Sequence, residues 1–531
     1  MSFAGKARHS LVSSAIMRRR SWLVSVVLLA ASSIACTALL GDYDTNGANA
    51  DGGPGTSGGP GTCTDVQKSC SGNCVSKEDP VFGCGTAACD PCSATTNAAP
   101  ACKAGICSFT CNDGFSDCDG NPATGCEANS ANDEANCGIC GRVCGSTNTT
   151  TPTKCSSGKC NFTCKTGFDH CTGPASVDQG CETDLSTSAE NCGACGHSCL
   201  GGTCVAGKCQ PFQLASASFP SGVAVGQNDV YFTFPSVPAI KRVQRDGKCT
   251  PAAPCPQDFA GTAVGDPLLK IRGPSAIVTN ANFVFWTNQA NGNLGRRAAM
   301  LPPGPIVNFG ATQSTEPGYL TLAGGKIFFV NAFANSQPTA HIRRADLDGT
   351  NVVDVAFFAN PATTFFGAGQ IASDTLHIYW ASKNSGVFRA ALTDAPCTEG
   401  LAVGSGGCLS FGSASAPYGV DVDANFVYWT EPTSGTVRRA PKAGGQSVVI
   451  AVNQDNPRAI AVNGTFVYWG TGAAGGTTGT IRRAVPTVAQ CDGLACEKVA
   501  DVAFPDAIVS ADDGIYWTNN NVNGGVYRLA K

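Results

Sequence analysis

At 531 residues the chain is too long for one ordinary domain, and with 43% apolar and only 14% charged side chains its abundant Gly, Thr, Asn and Val favour short strands and turns over helices. The formal charge of -4 becomes -9 once residues 1–35, with five Lys and Arg and no Asp or Glu, are set aside, so nothing here attracts nucleic acid. The 31 cysteines crowd into one third of the chain while aromatic residues recur through the remainder, which predicts two dissimilar regions.

The first element is an export signal. Arg18-Arg19-Arg20 precede the apolar run Trp22 to Ala31, which leads through small residues into Ser33-Ile34-Ala35-Cys36. That run is too short to span a bilayer. The terminus resembles a bacterial lipobox, in which a small residue precedes a cysteine that is lipidated and becomes the new N-terminus, although Ser33 stands where Leu is usual. The resemblance implies Cys36 as the lipid attachment site of an envelope lipoprotein, periplasmic or surface-exposed; the alternative is an ordinary cleaved signal. Thiol arithmetic favours the lipid, because setting Cys36 aside leaves an even 30 cysteines. Met17 offers a second start site just before the arginines. Residues 36–62 then read as a tether, since Gly41 to Thr62 carries almost no apolar side chain. With about 0.8 kcal/mol gained per buried methylene, several acyl chains on Cys36 hold the membrane without a transmembrane helix.

Residues 63–209 form the cysteine-rich region, with 24 cysteines. Cys102, Cys107, Cys111, Cys118, Cys126, Cys137, Cys140 and Cys144 match Cys155, Cys160, Cys164, Cys171, Cys181, Cys192, Cys195 and Cys199, the first four at an offset of 53 and the last four at 55. Asn136-Cys-Gly-Ile-Cys-Gly141 likewise matches Asn191-Cys-Gly-Ala-Cys-Gly196, so the region is a tandem duplication. Cys63 to Cys92 reads as a degenerate earlier copy, and Cys204 with Cys209 as the opening of a module that stops. Two chemistries suit such cysteines: zinc, with Cys137, Cys140, Cys192 and Cys195 as four thiolates, or disulfides. Export and modules of about 50 residues with little apolar content favour disulfides, expected within each module, and eight cysteines leave 105 pairings open. The block resembles the stigma-specific cysteine-rich family and similar repeats of secreted bacterial proteins, which implies no chemistry. No cofactor is required; the one candidate is calcium, for which Asp117, Asp119, Asn121 and Glu127 offer spaced oxygen ligands, although Thr172 replaces Asp119 in the second copy.

From Phe212 to the end a β-aromatic-aromatic block recurs seven times at intervals of 40 to 54 residues: Val230-Tyr-Phe-Thr, Val284-Phe-Trp-Thr, Ile327-Phe-Phe-Val, Ile378-Tyr-Trp-Ala, Val427-Tyr-Trp-Thr, Val467-Tyr-Trp-Gly and Ile515-Tyr-Trp-Thr. A proline and an apolar alternation precede most blocks, as in Pro417-Tyr-Gly-Val-Asp-Val and Pro457-Arg-Ala-Ile-Ala-Val, and a turn and a further strand follow. Four strands per repeat at this period predict an all-β, seven-bladed β-propeller over residues 212–531; six blades is the alternative if the block at Phe328-Phe329 is mispaired. Phe212 to Ser216 has no blade of its own and the last repeat stops after three strands, so the first strand should complete the last blade.

These blocks resemble the YWTD repeats of lipoprotein-receptor propellers, and more loosely NHL-type propellers, with His341-Ile-Arg-Arg-Ala-Asp-Leu-Asp-Gly349 an especially close match. They depart where that family has Asp after the Thr, with Phe234, Asn288, Glu431 and Asn519 instead. The resemblance implies protein recognition without naming a ligand.

Six propeller cysteines form three close pairs, Cys249 with Cys255, Cys397 with Cys408 and Cys491 with Cys496, all between third and fourth strands and expected as hairpin-loop disulfides. A third-strand arginine recurs as Arg242, Arg297, Arg344, Arg389, Arg439, Arg483 and Arg528; it reads as a bridge between blades in preference to a ring for anionic polysaccharide. No catalytic motif is present. His341 and His377 sit in strand patterns, His170 and His197 at unrelated repeat positions, and Asp421, Asp423, Asp512 and Asp513 lie near inner-strand exits, where turn chemistry competes with a channel-facing role. The reading is therefore a membrane-anchored, non-enzymatic binding or adhesion module for an envelope protein or polysaccharide. The alternatives are an envelope hydrolase or lyase using channel carboxylates, and a structural coat component.

Overall fold

In a computed structural model the chain is all-β, with no α-helix among the described residues and none long and apolar enough to cross a membrane. The structure describes residues 63–531 apart from 86–88, 172–177, 249–254, 262–263, 266–269, 301–302, 310–316, 332–340, 359–367, 383–384, 394, 404–405, 413, 473–475 and 487–489. The export signal, Cys36 and the tether lie outside the described residues. Two compact units form, one running to Cys92 and including Ala101–Cys107, the other comprising Ser93–Pro100 and Ser108–Lys531.

All 24 cysteines between Cys63 and Cys209 are paired, in three blocks of four disulfides with one connectivity. In the first block Cys63 joins Cys74, Cys70 joins Cys89, Cys84 joins Cys102 and Cys92 joins Cys107. The second block pairs Cys111 with Cys126, Cys118 with Cys140, Cys137 with Cys155 and Cys144 with Cys160. The third pairs Cys164 with Cys181, Cys171 with Cys195, Cys192 with Cys204 and Cys199 with Cys209. This shifts the phase of the expected repeat. The module begins at Cys111, not Cys102, so two of its disulfides cross the boundary drawn from the spacing. Cys63 to Cys107 is a complete copy, and Cys204 and Cys209 close a module and do not open one. The four cysteines considered for zinc are in four separate disulfides.

The same glycine contact recurs in each block. A Cβ on Gly85, Gly138 or Gly193 would meet the carbonyl oxygen of Gly105, Gly158 or Gly207 at 2.5, 2.5 and 2.7 Å, and all three have φ near +77°. Only glycine meets both demands, which is why Gly follows the fourth cysteine each time. Asn136 and Asn191 each accept the N–H of the glycine five residues on, at 2.8 Å, which rounds the Cys-Gly-x-Cys turn.

The propeller has seven antiparallel blades. Counted from the first inner strand they are centred on the strands Asp229–Phe234, Phe283–Asn288, Lys326–Asn331, His377–Ser382, Phe426–Glu431, Val467–Gly472 and Gly514–Asn519. The block at Phe328-Phe329 sits in a full four-stranded blade, so six blades is excluded. Phe212–Ser216 pairs with Gly525–Ala530 as the outer strand of blade 7, which joins the two ends of the ring and covers the open edge of the Gly525–Ala530 strand.

The repeated aromatic pair explains the ring. Successive strand residues face opposite sides of a sheet. Each first aromatic therefore packs toward the next blade, where it meets that blade's second aromatic: Tyr231 shares a core with Trp286, Phe285 with Phe329, Phe328 with Trp380, Tyr379 with Trp429, Tyr428 with Trp469, Tyr468 with Trp517 and Tyr516 with Phe232. All five Trp side chains of the ring are essentially fully buried. Two of the four residues after Thr that depart from the YWTD pattern serve the same packing, since Asn288 and Glu431 accept the indole N–H of Trp286 and Trp429 at 3.0 Å, whereas Asn519 accepts the N–H groups of Ala503 and Phe504.

Two disulfide loops do more than staple hairpins. Cys397, bonded to Cys408, begins a short strand, Cys397–Thr398, that pairs in parallel with the outer strand of blade 3, and Cys491–Asp492, held by Cys491–Cys496, does the same to blade 5. From the Cys397 loop the buried Glu399 accepts the Trp380 indole N–H at 2.7 Å. Cys255 is disulfide-bonded and packs on the core between blades 7 and 1; Cys249 lies outside the described residues.

The repeated arginine needs one correction. The register places Arg296 opposite Phe285, as Arg344 faces Phe328, Arg389 faces Tyr379 and Arg528 faces Tyr516, so Arg296, not Arg297, is the blade 2 member. Arg296, Arg344, Arg389 and Arg528 donate to the carbonyls of Leu347, Leu392, Lys442 and Arg245, in each case the residue just after the third strand of the next blade. Arg242, Arg439 and Arg483 act within their own blades: Arg242 on Gln257, Arg483 on Glu497, and Arg439 over the Phe426 ring with 4.5 Å to its centroid.

Candidate functional site

Residues of all seven inner strands line a central channel of about 390 Å³. Each inner strand starts at or just after a proline or an equivalent small residue, and the next two residues form the channel mouth. In three blades a threonine fixes them. Thr430 of blade 5 accepts the Gly419 N–H of its own inner strand at 2.9 Å and donates to the Arg458 carbonyl of blade 6 at 2.6 Å. Thr233 does the same between Gly222 and Ser275, and Thr518 between Ala507 and Ser221. A Cβ on Gly222 or Gly419 would meet the neighbouring carbonyl at 2.3 or 2.2 Å, so those two blades need glycine there, whereas blade 7 makes the same clasp with Ala507.

With the backbone fixed by the repeat, the side chains at the mouth are free to differ. Ser221, Ser275, Tyr319, Gln370 and Asp506 line the channel, and Tyr418 and Arg458 hold the corresponding repeat positions of blades 5 and 6 beside it, one residue for each of the seven blades. The hydroxyls of Tyr319 and Tyr418 lie 2.8 Å apart, with their rings edge to face. The Arg458 guanidinium stacks over the Tyr418 ring at 4.9 Å and lies 6.0 Å from the Phe504 centroid. Asp506 accepts from Ser221 at 2.6 Å and from Asn520 at 3.2 Å. Two buried polar atoms at the mouth, Gln370 Oε1 and Arg458 Nε, make no hydrogen bond. Among the described residues no carboxylate pairs with Arg458.

Burial pushes the Tyr319 phenol well above its ordinary value, and the neighbouring Tyr418 and the Asp506 charge push it further. Burial, then Asp506, raises Tyr418 in the same direction, with Arg458 opposing both shifts. Both hydroxyls are therefore protonated hydrogen-bonding groups at neutral pH and do not serve as bases.

No family model matches the chain, and no curated protein matches it. Solved structures that it resembles include a catalytically inactive virginiamycin B lyase from Staphylococcus aureus with quinupristin, at 15% identity over 61% of this chain and 98% of that one, TM-score 0.42. A streptogramin B lyase gives 14% identity over 60% and 97%, TM-score 0.42, and a PQQ-bound aldose sugar dehydrogenase from Streptomyces coelicolor 13% over 51% and 96%, TM-score 0.36. These distant neighbours include enzymes, and they share the propeller fold alone.

Of the acidic residues singled out from the sequence, Asp421 lines the channel. Burial raises its pKa to about 6, although it keeps some surface toward the channel and accepts the N–H groups of Val422 and Val462, each at 2.8 Å. Asp423 and Asp513 are turn residues that also accept the Tyr428 and Tyr516 hydroxyls, and Asp512 and Asp513 both bind Arg245. The histidines lie off the channel. His341 sits 3.8 Å from Asp354 and His377 3.7 Å from Asp374, while His170 contacts Glu182 and His197 the Cys192 carbonyl.

In the cysteine-rich region Asp117, Asp119 and Glu127 do come together. Each is already engaged, accepting the N–H of Gly120, Asn121 and Cys118 at 2.7, 2.8 and 2.9 Å, while Asn121 accepts that of Ala123 at 3.1 Å. The mouth residues Tyr319, Gln370, Tyr418, Arg458 and Asp506 were not singled out by sequence reasoning. Their signal is a repeat position, one or two residues after the proline, that changes chemistry from blade to blade.

Proposed function

We propose that the chain is an exported envelope lipoprotein, anchored through Cys36, whose propeller is a binding module that takes a polar ligand, a glycan unit or a protein side chain, at the channel mouth. The carrying observation is the unspent hydrogen-bonding capacity of Gln370 Oε1 and Arg458 Nε, set beside the protonated Tyr319 and Tyr418 hydroxyls. Buried polar atoms left unpaired cost about 1–3 kcal/mol each, and a ligand that pairs them recovers that cost on binding. Twelve disulfides in 147 residues, Cys63 to Cys209, support an oxidising compartment and hence export. The test is binding of the purified protein to a panel of envelope glycans and secreted proteins. Saturable binding that falls at least tenfold in Tyr418→Ala supports the module, and binding unaffected by changes at the mouth refutes it. For the anchor, Cys36→Ala should move the protein from the membrane to the soluble fraction; unchanged fractionation refutes lipidation.

A second reading, a hydrolase or lyase, is favoured by Asp421, whose pKa of about 6 suits general acid–base work. Both its oxygens are held by backbone N–H groups of the channel wall, so the carboxyl is better placed to join blades 5 and 6 than to reach a substrate.

A further inference from the structure

We infer that the ligand of the channel mouth is an acidic sugar unit, a uronate, seated with its carboxylate at Arg458 and its ring hydroxyls on the opposite side. This rests on the binding-module reading above. The third-strand arginines do not supply the site: Arg296, Arg344, Arg389 and Arg528 donate to backbone carbonyls of the next blade, and Arg242 and Arg483 bind Gln257 and Glu497. Arg439, stacked on Phe426, also has no carboxylate partner among the described residues, but it stands on a third strand and not on a channel-lining inner strand. Arg458 differs from them in its place. It lies at the mouth by register, it is held between Tyr418 and Phe504, and it has no carboxylate partner among the described residues. A guanidinium pre-ordered by stacking and without such a partner is built for an external carboxylate, which it meets with two parallel N–H groups.

The rest of the mouth narrows the class of anion. Asp506 and Gln370 Oε1 are acceptors, and Asn520, which donates to Asp506, carries a further acceptor in its amide oxygen; a ligand facing them must bring donors. Hydroxyl groups do this, and Tyr319, Tyr418 and Ser221 match them as groups able both to donate and to accept. A peptide C-terminus brings the carboxylate but follows it with a side chain and few donors; sulfate brings no donors, and inorganic phosphate at neutral pH brings only one or two P–OH groups for the acceptors Asp506, Gln370 and Asn520. A channel of about 390 Å³ has room for one sugar ring with its neighbours outside.

The experiment is calorimetry on the purified full chain with trigalacturonate and triglucuronate, their neutral trigalactose and triglucose counterparts, and a peptide with a free C-terminus. Uronates should bind at least tenfold more tightly than neutral sugars. Arg458→Gln should remove that preference, Arg458→Lys should restore part of it, and unchanged thermal melting should show that both variants are folded. Equal binding of acidic and neutral sugars, untouched by Arg458→Gln, overturns the uronate assignment and leaves the binding module standing. Arg458-dependent binding of the peptide alone overturns it in favour of a protein ligand. Uronate binding that survives Arg458→Gln together with Tyr418→Phe and Asp506→Asn places the sugar elsewhere and refutes the mouth as the site.

Discussion

Thr430→Val tests the clasp that sets the channel mouth. The hydroxyl is fully buried, and its loss leaves the Gly419 N–H and the Arg458 carbonyl without the partners they have at 2.9 and 2.6 Å. At about 1–3 kcal/mol for each unsatisfied buried group, with valine filling the same volume, the expected destabilisation is about 2–6 kcal/mol. Thr430→Ser keeps both hydrogen bonds and loses one methyl group, so it should cost about 1 kcal/mol. The assay is urea unfolding followed by tryptophan fluorescence at pH 7. Five of the six tryptophans lie in the propeller and none in residues 63–209, so the signal reports the ring without its disulfide-rich neighbour. A serine variant that loses as much stability as the valine variant, or a valine loss below about 0.5 kcal/mol, would refute the assignment of the hydroxyl as an interblade clasp.

The pH dependence of stability should bear the mark of Asp421. Its folded pKa of about 6 stands above the ordinary 3.8, so between pH 4 and 6 the native state holds a proton that the unfolded chain has released. Stability therefore falls with rising pH across that window, by on the order of 1–3 kcal/mol, and Asp421→Asn should abolish this slope; a slope unchanged in the variant counts against it. Replacing both Cys397 and Cys408 by Ser should cost about 2–3 kcal/mol and accelerate amide exchange at Ala356 and Phe357, where the loop strand pairs with blade 3; slow exchange there would show that pairing does not need the disulfide. Non-reducing peptide mapping should recover Cys137 linked to Cys155 and Cys144 to Cys160, whereas free thiols or bound zinc would reverse the pairing. Chelation with EDTA should leave the melting temperature unchanged, because backbone N–H groups already engage Asp117, Asp119 and Glu127; a drop of several degrees would make that cluster a calcium site.

The ring was legible because alternation along a strand is a local property. A Tyr-Trp pair faces two sides wherever it occurs, and seven such pairs at blade spacing call for seven interblade cores. What depended on pairing between strands was not legible. Nothing in Gly295-Arg296-Arg297 tells which arginine faces Phe285, and the choice of Arg297 missed the register by one residue. The cysteine repeat had the right period and the wrong phase, because a repeating string of cysteines looks the same whichever pair is taken as its beginning; the Gly138–Gly158 contact that marks the true module is a contact in space. The mouth residues escaped for a related reason. Repeats are found by what they share, and Tyr418, Arg458 and Asp506 occupy the place where the blades stop resembling one another.

The phase of the disulfides has a consequence for damage. The four loops of each block overlap, so every peptide bond within 63–107, 111–160 and 164–209 lies inside at least one closed covalent circuit. Only the two links around Ser108-Phe109-Thr110 and Asn161-Phe162-Thr163 lie outside all of them. A protease that cuts once inside any block opens the backbone but severs nothing, and the propeller stays attached to whatever holds the N-terminal side. Release by a single cut within 63–209 is confined to those two short links, each with one phenylalanine at its centre.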